Sequence, residues 1–421
     1  MENIKKIVLP NGARILLERI PYVRSASVGL WIDVGSRNET PVENGLSHFI
    51  EHMFFKGTRT KNAFQLSNEM NAVGGNVNAF TTQENICLNA KVVDDHLSRA
   101  IDLISELYLD STFDTAEIER ERNVVLEEVK MYYDTPDEQV IDTFLDNLFA
   151  DHPLGRPVLG TPERITDFKQ GDIKRYLNRE FAPDRIIISI AGNFDMRRIE
   201  PQLRRILEPI EPNGWERNPV IHPTPSYRSH NEDRRLEQVH FCMGTDAPPR
   251  TSDERFAFSM LNTILGGGTS SRIFQEVREK QGLAYSIGSF DFTFKDAGCF
   301  AISGGSSPRN IQKVLNICLE EVKKLYTELV SEEELESARE QIKSNIILGM
   351  ENSASRMSRM AESEIYFGEH IPVDTVIERI NAVTREDVFE MAQRYLKDRP
   401  ITFASIGPEK KFEPYLNGIT F

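Results

Sequence analysis

An α+β protein built from two similar halves is what this sequence predicts, and three observations carry the prediction. The 421 residues are too many for one ordinary core and suit two domains of roughly 200 residues each. Five prolines (Pro209, Pro212, Pro219, Pro223, Pro225) and an Asn213-Gly214 pair crowd the span 207–230, a composition typical of a linker. On either side of it the pattern repeats one order of elements: strand, strand, helix, helix, strands, helix, long helix. The expected layout is a first domain over 1–208, a linker over 209–231 and a homologous second domain over 232–421. Each domain is expected to be an α/β sandwich, a mostly antiparallel sheet with helices packed on one face.

The elements of the first half follow in order. Met1-Glu2-Asn3-Ile4-Lys5-Lys6 runs straight into a strand-like pattern with no apolar leader. Residues 14–18 and 26–34 are rich in β-branched and aliphatic side chains and read as strands. Residues 43–55 and 62–72 read as helices, and 76–92 as a strand or hairpin. Over 94–108, Leu97, Ile101, Ile104 and Tyr108 recur at helical spacing. Asp114 or Thr115 then caps a charged helix running to about 133. The second half matches at two offsets. Phe64–Glu69 falls on Phe274–Glu279 and Phe80 on Phe290 at 210; Phe113–Ile118 falls on Val330–Leu335 at 217.

Composition narrows the function. Apolar residues make up 39% and charged residues 27%, an ordinary globular profile, and no apolar run is long enough to span a bilayer. Fifty basic against 65 acidic residues give a net charge of −15, which argues against nucleic acid as a partner. Cys87, Cys242, Cys299 and Cys318 form no C-x-x-C pair and are expected to be reduced thiols in a cytoplasmic protein.

The string that carries chemistry is His48-Phe49-Ile50-Glu51-His52. Two histidines four apart project from one side of a helix, so both imidazoles can reach one tetrahedral zinc ion. Glu51 shares that side and can act on a metal-held water without ligating the metal. A hydrolytic zinc needs a third protein ligand and one open position. The acidic helix Glu119-Arg120-Glu121-Arg122-Asn123-Val124-Val125-Leu126-Glu127-Glu128 is the best supplier. Glu121 and Glu128 lie seven residues apart on one face, so one could bind metal while the other supports a ligand histidine. A solvated acidic face explains any single one of these acids equally well. Spacing alone does not choose among Glu119, Glu121, Glu127 and Glu128.

The span Gly45-Leu46-Ser47-His48-Phe49-Ile50-Glu51-His52-Met53-Phe54-Phe55-Lys56-Gly57-Thr58 resembles the inverted zinc motif of the pitrilysin family. Within that family the chain is most similar to the β-subunits of mitochondrial processing peptidase and their bacterial two-domain relatives, over nearly its whole length. The resemblance implies a zinc endopeptidase with one Zn2+ per chain. Glu121-Arg122-Asn123-Val124-Val125-Leu126-Glu127-Glu128 matches the family string that picks Glu128 as third ligand and Glu121 as the acid behind a ligand. It further implies that Asn78, Ala79 and Phe80 lie on an edge strand that pairs with extended substrate. Arg278 and Tyr285 match an Arg–Tyr pair that meets the substrate carbonyl region. Glu138 and Asp142 match acids that select a basic residue upstream of the cut, although an acidic solvated face would look the same.

At the two offsets His48, Glu51, His52 and Glu128 fall on Phe258, Leu261, Asn262 and Asn345, so the second domain is expected to hold no metal. Relatives pair two such chains around a chamber. The expected assembly is a homodimer acting on peptides or unfolded segments, with Arg278 and Tyr285 acting in trans. A non-catalytic scaffold or partner subunit of a larger complex is the competing expectation, and the presence of every site residue weighs against it.

Overall fold

The computed structural model describes residues 4–215, 221–408 and 420–421; the middle of the expected linker, 216–220, lies outside the described residues. The first half comprises β1 (Ile4–Val8), β2 (Arg14–Arg19), β3 (Ser25–Ile32), α1 (Leu46–Phe54), α2 (Ala63–Ala72), β4 (Gly75–Thr81) and β5 (Ile86–Val93). It continues through α3 (Leu97–Asp110), α4 (Thr115–Tyr133), α5 (Pro136–Leu148), α6 (Pro162–Asp167), α7 (Gln170–Glu180), β6 (Ile186–Gly192) and α8 (Met196–Leu207). The second half comprises β7 (Ser229–Asp233), β8 (Val239–Ala247), α9 (Glu254–Gly266), β9 (Ala284–Thr293), β10 (Gly298–Ser306) and α10 (Ile311–Thr327). It ends with α11 (Glu332–Gly349), α12 (Ser353–Phe367), α13 (Val373–Ala382), α14 (Arg385–Tyr395) and β11 (Thr402–Gly407).

The strands form two sheets, ordered β1-β2-β6-β3-β5-β4 and β7-β11-β8-β10-β9. Without β1 the first order maps onto the second strand for strand. In each, the pair that includes the late-arriving strand (β2 with β6, β7 with β11) is parallel and the remaining pairs are antiparallel. The expected α+β fold of two like domains is thus the observed one. Central strands are apolar on both faces: Ile186–Gly192 is buried throughout. β4, at the end of its sheet, alternates buried Ala79 with exposed Asn78 and Phe80.

In the first unit one sheet face, with Ile15, Leu17, Val28 and Leu30, packs on Phe49, Ile50, Ile101 and Ile104 of α1 and α3. In the second, Phe241, Met243, Phe300 and Ile302 pack on Phe258, Leu261, Val314 and Leu315 of α9 and α10. Helices on one face were expected; each sheet also carries a helix on its other face. Leu16, Trp31 and Ile187 meet Met357, Met360, Ala361 and Ile365 of α12, and Trp31 Nε1 donates to Met357 Sδ at 3.4 Å. Cys242, Cys299, Ala301 and Ala404 meet Val140, Phe144, Leu145 and Leu148 of α5. Each buried Val, Leu, Ile, Phe or Met among them contributes roughly 1.5–3 kcal/mol, so these helices are integral to their cores.

These contacts change the domain layout. One compact unit gathers the first half to Lys130, resumes at Arg156 and takes in Leu348–His370; the other takes in Met131–Gly155 with Ile221–Ile347 and the chain from Ile371. The units therefore do not follow the boundaries 1–208 and 232–421: α5 and α12, which match at the 217 offset, are reciprocally exchanged. All four cysteines are buried and unpaired. Among the described residues no helix is long and apolar enough to cross a membrane.

Candidate metal centre

The centre is built where α1 meets α4. Gly45 precedes α1 with φ +92°, and a Cβ there would lie 2.7 Å from Gly160 Cα, so the helix can start here only on glycine. Gly45 supplies no cap. The buried Glu39 carboxylate replaces it, accepting the backbone N–H of Gly45 (2.8 Å) and of Ser47 (2.7 Å) and the Asn44 side-chain amide (3.3 Å). Phe49, Ile50, Met53 and Phe54 bury the far side of α1 and fix its rotation. His48 and His52 then project together, ring centroids 4.6 Å apart.

Glu121 and Glu128 face them from α4. His52 Nδ1 is 2.8 Å from Glu121 Oε1, which makes Nδ1 the donor and turns Nε2 toward Glu128. That Nε2 lies 3.3 Å from Glu128 Oε2, and His48 Nε2 lies 3.7 Å from the same oxygen. Glu119 and Glu127, the other two candidates, are exposed and paired with Arg122 and Lys130 on their own helix. Among the described residues, His48, His52 and Glu128 form the group whose donor atoms lie within 4.8 Å of one another. Glu128 Oε2 is buried there without a hydrogen bond of acceptable geometry, and His48 Nδ1 is likewise unpartnered. A buried carboxylate oxygen left unbonded between two imidazole nitrogens is costly unless a cation joins them. Two neutral nitrogens and one carboxylate also make a donor set that suits zinc with one position left open.

The charges agree with this arrangement. Burial and the neighbouring His52 push His48 down to about 4, so its imidazole is neutral. Burial opposes protonation of His52 too, but the hydrogen bond it donates to Glu121 and the close Glu128 carboxylate outweigh it and push it up to about 9. The His52 contact holds Glu128 below its usual range. Burial would raise Glu121, but its bonds to His52 and Lys56 hold it low. Glu51 is raised by burial, against a hydrogen bond of 2.6 Å donated by Thr81 Oγ1 to its Oε2. A carboxylate raised toward neutrality and anchored by one oxygen is suited to exchanging protons.

The remaining expected residues fall in separate places. Asn78, Ala79 and Phe80 lie on β4, the open edge of the first sheet, and Phe80 packs edge-on to Trp31 at 5.4 Å. Arg278 and Tyr285 come together in the second unit. The Arg278 guanidinium stacks between the rings of Phe274 (4.8 Å) and Tyr285 (4.7 Å) and donates to the Tyr285 carbonyl at 2.9 Å, leaving the tyrosine 80% exposed. Arg278 sits in a π-helical turn, Phe274–Glu279. Glu138 and Asp142 share α5; burial pushes Asp142 up to about 6. At the positions matching His48, Glu51 and His52, Phe258 and Leu261 are core, and Asn262 bonds Asp291 (2.9 Å) and Ser289 (2.6 Å). Glu39, Lys56 and Thr81 were not anticipated. Lys56, one turn beyond His52, carried a legible signal in its spacing; the other two act across tertiary contacts.

Comparison with known proteins now bears on this geometry. The sequence profile of the insulinase peptidases, family M16, matches residues 14–162, and that of the M16 inactive domain matches 167–342. An uncharacterized zinc protease of Bacillus subtilis is 38% identical over 96% of this chain and 98% of its own length. One from Streptomyces coelicolor is 37% identical over 97% of this chain and 90% of its own. Among solved structures, a protease from Helicobacter pylori shares the fold with a TM-score of 0.89 at 21% identity, covering 97% of this chain and all of that one (100%).

The charge state makes a measurable prediction. At about pH 7.5 the metal-free His52 carries a proton that a metal bound through its Nε2 would have to displace, whereas His48 does not. Calorimetric titration with zinc in two buffers of different ionisation enthalpy should report at least about one proton released per ion at that pH, from His52 and from any zinc-held water. Uptake with no proton release contradicts the His52–Glu121 arrangement.

Proposed function

This chain belongs to peptidase family M16, a family of metallopeptidases, and on that premise we propose that it is a zinc-dependent endopeptidase. His48, His52 and Glu128 would hold one Zn2+, and Glu51 would move the proton. The observation that supports this most is the convergence of His48 Nε2, His52 Nε2 and Glu128 Oε2, beside a carboxylate tethered by Thr81.

Bound zinc supplies a Lewis acid that acidifies a water and polarises a peptide carbonyl. The chain's own groups do the rest. Glu121 fixes the His52 tautomer, keeping Nε2 as the donor atom. Thr81 holds one oxygen of Glu51, leaving the other to take the proton of the attacking water and return it to the leaving amine. The free N–H and C=O groups of β4 along Asn78–Phe80 would take the substrate as an added strand, which favours extended peptides with little demand on sequence. Arg278 and Tyr285 are proposed to complete the site from a second copy of the chain, in a homodimer enclosing its substrates. The Tyr285 hydroxyl would stabilise the developing oxyanion. Glu138 and Asp142 would favour a basic side chain near the cut. Four buried, unpaired cysteines suit a reducing compartment, and the working compartment proposed is the cytoplasm.

A quenched-peptide library tests the activity directly. Wild type should cleave in a zinc-dependent manner, with basic residues enriched near the cut. Glu51→Gln should retain zinc while kcat falls about 10²–10⁴-fold; equal turnover removes Glu51 from the reaction. For the dimer, mixing inactive His48→Ala chains with inactive Arg278→Ala chains should restore part of the activity. A mixture as inactive as its components rules out action in trans.

A further inference from the structure

We propose that Lys56 is a positioning residue of the metal centre, its ammonium locking the Glu121 carboxylate in the orientation that aims His52 Nε2 at the ion. The inference rests on the reading of His52 as a ligand. Glu121 is buried and both its oxygens are engaged: Oε1 with His52 Nδ1 at 2.8 Å, Oε2 with Lys56 Nζ at 2.7 Å. The carboxylate therefore cannot turn without losing one partner. Lys56 follows the last turn of α1, and its backbone N–H still bonds Met53 O at 3.1 Å, so the cation is carried by the same helix as the two histidines.

Charge gives Lys56 a second effect. Three carboxylates (Glu51, Glu121, Glu128) surround the two imidazoles. Among the described residues, Lys56 is the lysine or arginine that ion-pairs with any of them. Without it, Glu121 keeps a full negative charge and one free oxygen on the α4 face that also carries Glu128. A carboxylate in that state is drawn to the dication and competes with Glu128 as ligand. Lys56 thus keeps Glu121 as the brace behind His52 and leaves the ligand position to Glu128. The side chain is itself partly exposed, so its removal disturbs little else.

The test is the zinc affinity of the purified full chain, by competition with a chromogenic chelator, together with the melting temperature of the metal-free chain. Lys56→Met should weaken zinc binding about threefold to tenfold, below the range typical of a direct partner of a ligand, with metal-free melting unchanged within about 2 °C. Lys56→Arg should restore wild-type affinity. In a Glu121→Gln background, Lys56→Met should have no further effect. Equal affinity of wild type and Lys56→Met overturns the proposal. So does the same loss in both backgrounds, or a fall in metal-free melting alongside the affinity, which would assign Lys56 to the fold. A wild-type chain that takes up no zinc overturns the metal reading beneath it, a result distinct from all of these.

Discussion

The hydrogen bond between His52 and Glu121 is the constraint on which the centre depends. It joins α1 to α4, two helices separated in sequence by a helix, a hairpin and a further helix. As a charge-assisted bond it contributes about 1.5–3 kcal/mol, but its geometric effect matters more. With the rotation of α1 fixed by its buried Phe49, Ile50, Met53 and Phe54, the bond holds one face of α4 against it and so favours the acid that meets the Nε2 atoms. It also assigns the tautomer of His52. With Nδ1 committed to Glu121, the only lone pair His52 can offer points at Glu128. The depressed Glu128 and the proton held on metal-free His52 follow from these contacts, while burial accounts first for the neutral His48.

The fold around this bond is one plan used twice and put to different ends. Both sheets share strand order and direction, yet in the second unit the residues equivalent to the metal site are Phe258, Leu261 and an Asn262 bonded to Ser289 and Asp291. The three polar side chains there satisfy one another, whereas Glu128 Oε2 in the first unit, facing two imidazole nitrogens, has no hydrogen bond of acceptable geometry. Unpaired buried groups are tolerated where a ligand completes them and are eliminated where none does. The exchange of α5 and α12 ties the two sequence halves into both cores, so neither half could lose its partner without exposing a sheet face.

Much of this was legible in the sequence, and what was not has a physical reason. The histidine spacing alone placed both imidazoles on one helix face, because helical periodicity is local. The strand and helix order of each half was likewise readable, from Leu97, Ile101 and Ile104 to the charged run of α4. The choice of Glu128 was not readable from spacing, since it depends on which face of α4 packs against α1. In the fold, Glu119 and Glu127 turn outward to Arg122 and Lys130, and Glu121 is consumed by His52 and Lys56. Amphipathicity marked α5 and α12 as half-buried helices but could not say which sheet each would cover. The same limit applied to Glu39, whose farthest carboxylate partner lies eight residues away, and to Thr81, whose partner lies thirty away in sequence.

Zinc-edge anomalous diffraction from crystals of the zinc-loaded chain would test this account most directly. It predicts a peak about 2.0–2.2 Å from His48 Nε2, His52 Nε2 and a Glu128 oxygen, with Glu121 still on His52 Nδ1. A peak bonded to Glu121 in place of Glu128, or one remote from α1 and α4, would contradict it.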